Sequence, residues 1–297
     1  MTTLRLGTFT KSLLLAVAER SGSVHAAGLV IEEVSVVSSP AQFAALASGE
    51  LDFVLTGPDN VLAYQFIATN PLATLMDLTI YAALDRGLDL GLWCAPGRSP
   101  AELPGRPFAV DVATSGFAFV AYELLARLDI SRSDLEVVAL GVTPQRANAL
   151  MAGQCAATIL NASNELRASD AGCRNYGRVT DIGPYLGTVL AGRRGVNGAV
   201  ARQLRSLLLA AAAWVLDTAN EGAALAVIEE VLGLDREQAK AHLTVIRDER
   251  MGLVPDGHVD ASSLDTLVQL RRRFGGYLTD DDIVDRATSL VDEGFNA

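Results

Sequence analysis

Hydroxyl, amide and cationic residues collect at four points of this 297-residue chain, each where a short apolar stretch gives way to a helix-like one. They are Thr8, Phe9, Thr10 and Lys11; Ser38 and Ser39; Ser115, Gly116 and Phe117; and Thr143 with Val142 and Gln145 beside it. Each point offers a hydroxyl group and the free N–H groups of a helix start. Converging helix N-termini favour a carboxylate, sulfonate or phosphate by about 0.3–1 kcal/mol each when exposed, and by more when partly buried. Lys11 is one of only two lysines, the other being Lys240. Expected in the first turn of a helix, its charge meets the positive end of the dipole. Contact with an anion would explain that misfit; a side chain pointing into solvent is the plainer alternative. Phe9 and Phe117 sit where a large ring has little helix face to cover, so they either wall a ligand or join the core.

Gly57 and Asn60 follow one expected strand, and Asn161 and Asn164 another. The asparagines suit ligand hydrogen bonds and turn chemistry equally. Asp59 and Asp77 could bind an amine or act as a base. No histidine or second carboxylate stands at motif spacing, so catalysis has no direct support and no catalytic residue is assigned. Cys94, Cys155 and Cys173 lack metal spacing and read as small buried thiols. His25, His242 and His258 are scattered. No metal site and no cofactor is expected.

These residues need elements to position them, and one unit stands out. Residues 38–60, SSPAQFAALASGELDFVLTGPDN, read as loop, helix, turn, strand, loop. Ser39 is expected to cap a helix with Pro40 at its first position. Gly49 ends that helix, and a short buried strand follows. Residues 142–164, VTPQRANALMAGQCAATILNASN, repeat the pattern without a gap: Thr143 for Ser39, Pro144 for Pro40, Leu150 for Leu46, Gly153 for Gly49, Asn164 for Asn60. Two such units suggest two α/β lobes with a cleft between their loops.

The rest of the chain fits that plan. Strands are expected at residues 4–7, 29–37, 51–55, 108–112, 135–140 and 178–182. Residues 71–84 and 88–94 read as extended, with a turn at Asp85-Arg86-Gly87. The Pro- and Gly-rich residues 96–107 read as the crossing into the second lobe, and residues 185–191 as the return. Helices are expected at residues 199–218, 221–232, 236–247, 262–274 and 280–290. The lobes are thus residues 1–97 plus 185–297, carrying the C-terminal helices, and residues 98–184. Half the residues are hydrophobic, a fifth are charged, and the net charge is −11. That argues against nucleic acid and anionic membranes as partners. The apolar run at residues 207–216 is too short to span a bilayer and is expected in the core, without membrane insertion.

The order of LRLGTFT, SSPAQFAALASGELDFVLTG, GLWCAPGRSPAELPGRPFAV, DVATSGFAFVAYELL and TPQRANALMAGQCAATILNASNE resembles the type II periplasmic-binding-protein family. The similarity is to the branch of sulfonate, nitrate and taurine (SsuA-like) binding proteins and NMT1/THI5-like proteins. It implies an α/β fold of two lobes, each a mixed, mostly parallel sheet flanked by helices, with a helical C-terminal region. It also implies a small molecule held between lobes that close by hinge motion, and an ABC permease as partner if the protein is exported. No charged and apolar leader precedes the first expected strand, so the sequence as written is expected to be cytoplasmic, or periplasmic or cell-surface if a leader has been removed. Relatives without export signals include enzymes, and a lyase or decarboxylase acting on a carboxylate is the alternative reading. An NMT1/THI5-like biosynthetic enzyme is the other enzyme alternative, although the cysteine-rich motif of the pyrimidine-precursor synthases is absent. A ligand-sensing partner of another protein is a third reading. The leading expectation is a binding protein for a small organic anion, aromatic or not.

Overall fold

The computed structural model describes residues 1–275 and 287–291. It opens with β1 (Thr2–Thr8), α1 (Leu13–Arg20), the short α2 (Ser23–Ala26), β2 (Leu29–Ser35), α3 (Ser39–Ser48), β3 (Phe53–Thr56), α4 (Pro58–Phe66) and β4 (Leu78–Asp85). Next come β5 (Gly91–Cys94), β6 (Pro107–Val110), α5 (Gly116–Ala126), β7 (Glu136–Ala139), α6 (Thr143–Met151), β8 (Ala157–Leu160), α7 (Asn164–Asp170) and β9 (Arg174–Arg178). The described chain closes with β10 (Thr188–Arg193), α8 (Gly198–Leu216), α9 (Glu221–Leu232), α10 (Arg236–Ile246) and α11 (Ala261–Gly275). Of the helix expected at residues 280–290, residues 280–286 lie outside the described residues.

Among the described residues, ten strands form two five-stranded sheets, ordered β2-β1-β3-β10-β4 and β7-β6-β8-β5-β9. In each, three parallel strands are joined by an antiparallel one, β10 beside β3 and β5 beside β8. The inner strands β3, β5 and β8, and β4 at the edge of the first sheet, are buried along their whole length, as strands covered on both faces must be.

The topology moves one expected boundary. Strand β5, expected in the first lobe, pairs with β8 and β9 in the second sheet. The chain therefore leaves the first sheet within residues 86–90, where the sequence suggests only a turn. The Pro- and Gly-rich residues 96–107 lie inside the second lobe and hold a single 3-10 turn at Pro100–Glu102. Residues 178–182, expected as a strand, instead end β9 and form a 3-10 turn at Val179–Asp181.

The C-terminal helices divide. Helices α8, α9 and α10 share an apolar core with α1 and the first sheet through Leu204, Leu208, Ile228, Leu243 and Ile246. Helix α8 runs 19 residues, longer than the apolar run the sequence suggests, and by length and composition alone could cross a membrane. Its Leu204, Leu208, Ala211, Ala212 and Val215 are buried against that core. Helix α11, expected with the others on the first lobe, packs instead on α5 of the second. Its Phe274 ring lies 6.4 Å from Phe119 and 5.8 Å from Tyr122.

Candidate functional site

The carboxyl ends of β1, β2 and β3 face those of β6, β7 and β8 across one cavity of about 500 Å³. Of the residues singled out for ligand contact, all line it apart from Asp77 and Gln145. Asp77 lies outside, its side chain 69% exposed and paired with Arg194 at 2.9 Å. An Asp just before a strand carries no sign of which way it faces, and here it braces the surface.

On the first lobe, Ser12 caps α1, its hydroxyl accepting from Leu15 N–H at 3.2 Å. Lys11 therefore stands before the cap and not in the first helical turn, and its side chain is exposed. The loop is fixed by Glu33 of β2, whose Oε1 accepts from the Thr8 hydroxyl at 3.0 Å and from Ser12 N–H at 2.7 Å. Phe9 and Thr10 extend from this loop at the cavity wall. The cap of α3 is Ser38, accepting from Ala41 N–H at 3.3 Å, so Ser39 is the first helical residue. Gly57 caps α4, and the Asn60 amide donates to Thr56 Oγ1 at 3.0 Å.

On the second lobe, Ser115 caps α5 through Ala118 N–H at 3.1 Å, and its hydroxyl donates to Asp111 Oδ1 at 2.5 Å. A Cβ on Gly116 would lie 2.6 Å from Asp59 Cβ, so only glycine lets the lobes meet this closely there. Phe117 is half-buried at the wall. Asn161 donates to Gly87 O at 3.1 Å, and Asn164 to Asn161 O at 3.0 Å.

The residue of most chemical weight went unremarked in the sequence. Arg146 lines the cavity in the first turns of α6 and is 1% exposed. It donates to Gly141 O, to Thr143 Oγ1 at 3.0 Å and to Ile159 O at 3.3 Å. Its Nε is buried without a hydrogen-bond partner, and it forms no ion pair among the described residues. Burial pushes its pKa down, while the Asp111 charge acts the other way. The repeat supplies the comparison. Gln42 holds the matching position of α3, and its Nε2 donates to Leu55 O at 3.1 Å, the counterpart of Ile159 O. Thus the bridge from helix to strand carbonyl is made by a neutral side chain in one lobe and by a cation in the other. A second mark was readable too: like Lys11, Arg146 places a cation near a helix N-terminus.

Two further groups hold the lobes together. Asp85, at the end of β4, is buried, which raises its pKa. It accepts from Gly87 N–H at 2.8 Å and from Thr188, tying both crossings to one carboxyl group. A Cβ on Gly187 would lie 2.3 Å from Asp85 Oδ1 and 2.6 Å from Gly87 Cα. Asp59 accepts from Arg271 of α11 in a two-point ion pair, Nε to Oδ1 at 2.6 Å, with both side chains 4% exposed. Arg271 also donates to Thr114 O at 3.3 Å and lies 4.9 Å from the Phe119 ring centre.

The balance of charge in the cavity follows. Asp59 is neutralised by Arg271, and burial favours the uncharged form of Asp85. Asp111 then faces Arg146, Lys11 and Arg167, leaving the wall with a surplus of positive charge. Charge, hydroxyl groups and helix N-termini in this arrangement are suited to an anionic group.

No protein-family model and no curated protein matches this chain. Solved structures do. A protein of Bordetella bronchiseptica RB50 superposes with a TM-score of 0.79 at 19% identity, over 100% of this chain and 96% of that one. The alkanesulfonate-binding protein SsuA of Xanthomonas axonopodis pv. citri, bound to MOPS, gives 0.77 at 18%, covering 98% of each chain. The periplasmic nitrate-binding protein NrtA of Synechocystis PCC 6803 gives 0.76 at 13%, over 99% of this chain and 87% of that one. The chain has the periplasmic-binding-protein type II fold, as the sequence resemblance implies.

Proposed function

We propose that this chain captures a small organic anion between its lobes, as the ligand-binding component of a solute-import system. The observation that carries this reading is Arg146: a buried guanidinium without a carboxylate partner among the described residues, at a position where the repeat uses a neutral Gln42. An unpaired buried charge is costly, and its persistence calls for a charge-bearing ligand. Likeness in fold to the alkanesulfonate- and nitrate-binding proteins supports the same reading. A cavity of about 500 Å³ matches the room that organic ligands need and far exceeds that of a bare oxyanion such as nitrate.

In this reading the lobes move about residues 86–90 and 182–187, with Asp85 bracing both crossings, and a membrane permease receives the closed form. The residue that would best serve an enzyme is Asp85, buried with a raised pKa beside the cavity. Its hydrogen bonds to Gly87 and Thr188 already account for it as a strut between the crossings. The test is native mass spectrometry of freshly purified protein. An anionic small molecule should co-purify unchanged with the wild type and be lost from Arg146→Gln. A neutral ligand retained by that variant would overturn the reading.

A further inference from the structure

The cavity has two chemically different ends. One is the ring of hydroxyls, helix starts and Arg146 described above. The other runs into the apolar core of the first lobe, where Leu14, Leu55, Leu84, Leu232, Ile246 and Leu253 line it. A histidine interrupts that apolar wall, and the Asp85 carboxyl stands at its margin. His242 stands one turn before Ile246 on α10, lines the cavity and is 2% exposed. Its Nδ1 is occluded without a partner. Burial lowers its pKa to about 4, so the imidazole is neutral near pH 7 and can both give and accept a hydrogen bond. Leucine or phenylalanine would close this wall without stranding a polar ring. A buried polar group left unpaired in a cavity wall calls for a partner that arrives with the ligand.

Volume points the same way. Liquid water takes about 30 Å³ per molecule, so a cavity of about 500 Å³ has the room of roughly seventeen waters. A sulfonate or carboxylate group at Arg146 fills only a small part of it. The remainder is lined largely by hydrocarbon.

We propose that the inner end is a tail chamber and that His242 sets its specificity. The ligand is then an amphiphilic organic anion whose apolar tail carries a hydrogen-bonding group, such as a hydroxyl or carbonyl, at the end remote from the charge. This inference rests on the anion-binding reading of the outer end and deepens it.

Calorimetric titration of the full chain tests it with four probes: sulfate, ethanesulfonate, hexanesulfonate and ω-hydroxyhexanesulfonate. Each methylene buried in the chamber should tighten binding roughly fourfold, so hexanesulfonate should exceed ethanesulfonate by on the order of a hundredfold. The ω-hydroxyl should improve affinity further in the wild type and weaken it at least tenfold in His242→Phe. His242→Gln, which keeps a hydrogen-bonding group, should restore part of the preference. Leu232→Trp, which fills the chamber, should cancel the gain in affinity from ethanesulfonate to hexanesulfonate. Ethanesulfonate and hexanesulfonate binding equally well would overturn the chamber while leaving the anion site intact. An ω-hydroxyl preference unchanged in His242→Phe would overturn the role of the imidazole. Failure of all four probes would overturn the anion-binding reading and this inference with it.

Discussion

Replacing Arg146 by Gln installs the side chain that the first lobe already uses at the matching position. Gln42 reaches the carbonyl of Leu55, so a glutamine at position 146 should reach that of Ile159. The variant forfeits the bonds to Gly141 O and Thr143 Oγ1, worth about 0.5–1.5 kcal/mol each as neutral bonds and somewhat more with a charged donor. Against this it removes a charge whose desolvation costs several kcal/mol. The two effects nearly offset, and stability should change by no more than about 2 kcal/mol. Binding has no such offset. Truncating one partner of a buried, hydrogen-bonded charge pair costs about 2–5 kcal/mol, or roughly thirty- to several-thousand-fold in affinity. Calorimetric titration with hexanesulfonate, beside chemical denaturation of the unliganded protein, separates the two quantities. Lys11→Ala is the contrast: Lys11 is exposed, so its smaller loss should fade in high salt, while that of Arg146→Gln persists. A glutamine variant that binds as tightly as the wild type would refute the assignment of the anion to Arg146. One that fails to fold would show the charge to be architectural.

Three other perturbations follow from the structure. Arg271→Met and Asp59→Leu should each cost about 3–5 kcal/mol by stranding a buried partner, while the two together should cost clearly less than the sum; additive losses in a denaturation cycle would remove the coupling. His242 titrates at about 4 in the folded protein against a reference value of 6.5, so protons favour the unfolded chain. Its stabilising contribution is complete above pH 6.5 and declines as pH falls toward 4, by about 3 kcal/mol in all, and His242→Phe should flatten that part of the stability curve. Gly187→Ala places a methyl group against Asp85 and Gly87 and should lower stability by about 1–3 kcal/mol, read from the shift in melting temperature.

Much of the site was legible because its residues sit at strand-to-helix loops, which the repeat marks twice. The repeat also concealed its most telling position. Matches such as Pro40 with Pro144 draw attention to shared architecture, whereas the difference between Gln42 and Arg146 carries the chemistry. The Pro and Gly of residues 96–107 mark irregular backbone and not the change of sheet, which comes before β5. The actual crossings are short and held by Asp85, whose partners lie at Gly87 and Thr188. Lys11 shifted because Ser12, one residue on, is a better cap. The packing of α11 on α5 and the charge of Arg271 on Asp59 are long-range choices, which the apolar stripe of α11 does not specify.

The ion pair between Asp59 and Arg271 joins residues 212 positions apart, and this sets an order of events during synthesis. All strands of the second sheet lie between Gly91 and Arg178, so that sheet can form from one continuous stretch of nascent chain. The first sheet must wait for β10, which enters between β3 and β4. Until then those two strands have no partner between them, and their unpaired edges are open to other chains. The Asp59 carboxylate waits longer still, remaining hydrated until α11 leaves the ribosome. The binding cleft is therefore among the last parts of the molecule to mature. A chain that stops short of Arg271 should emerge with the second lobe folded and that carboxylate still searching for its partner.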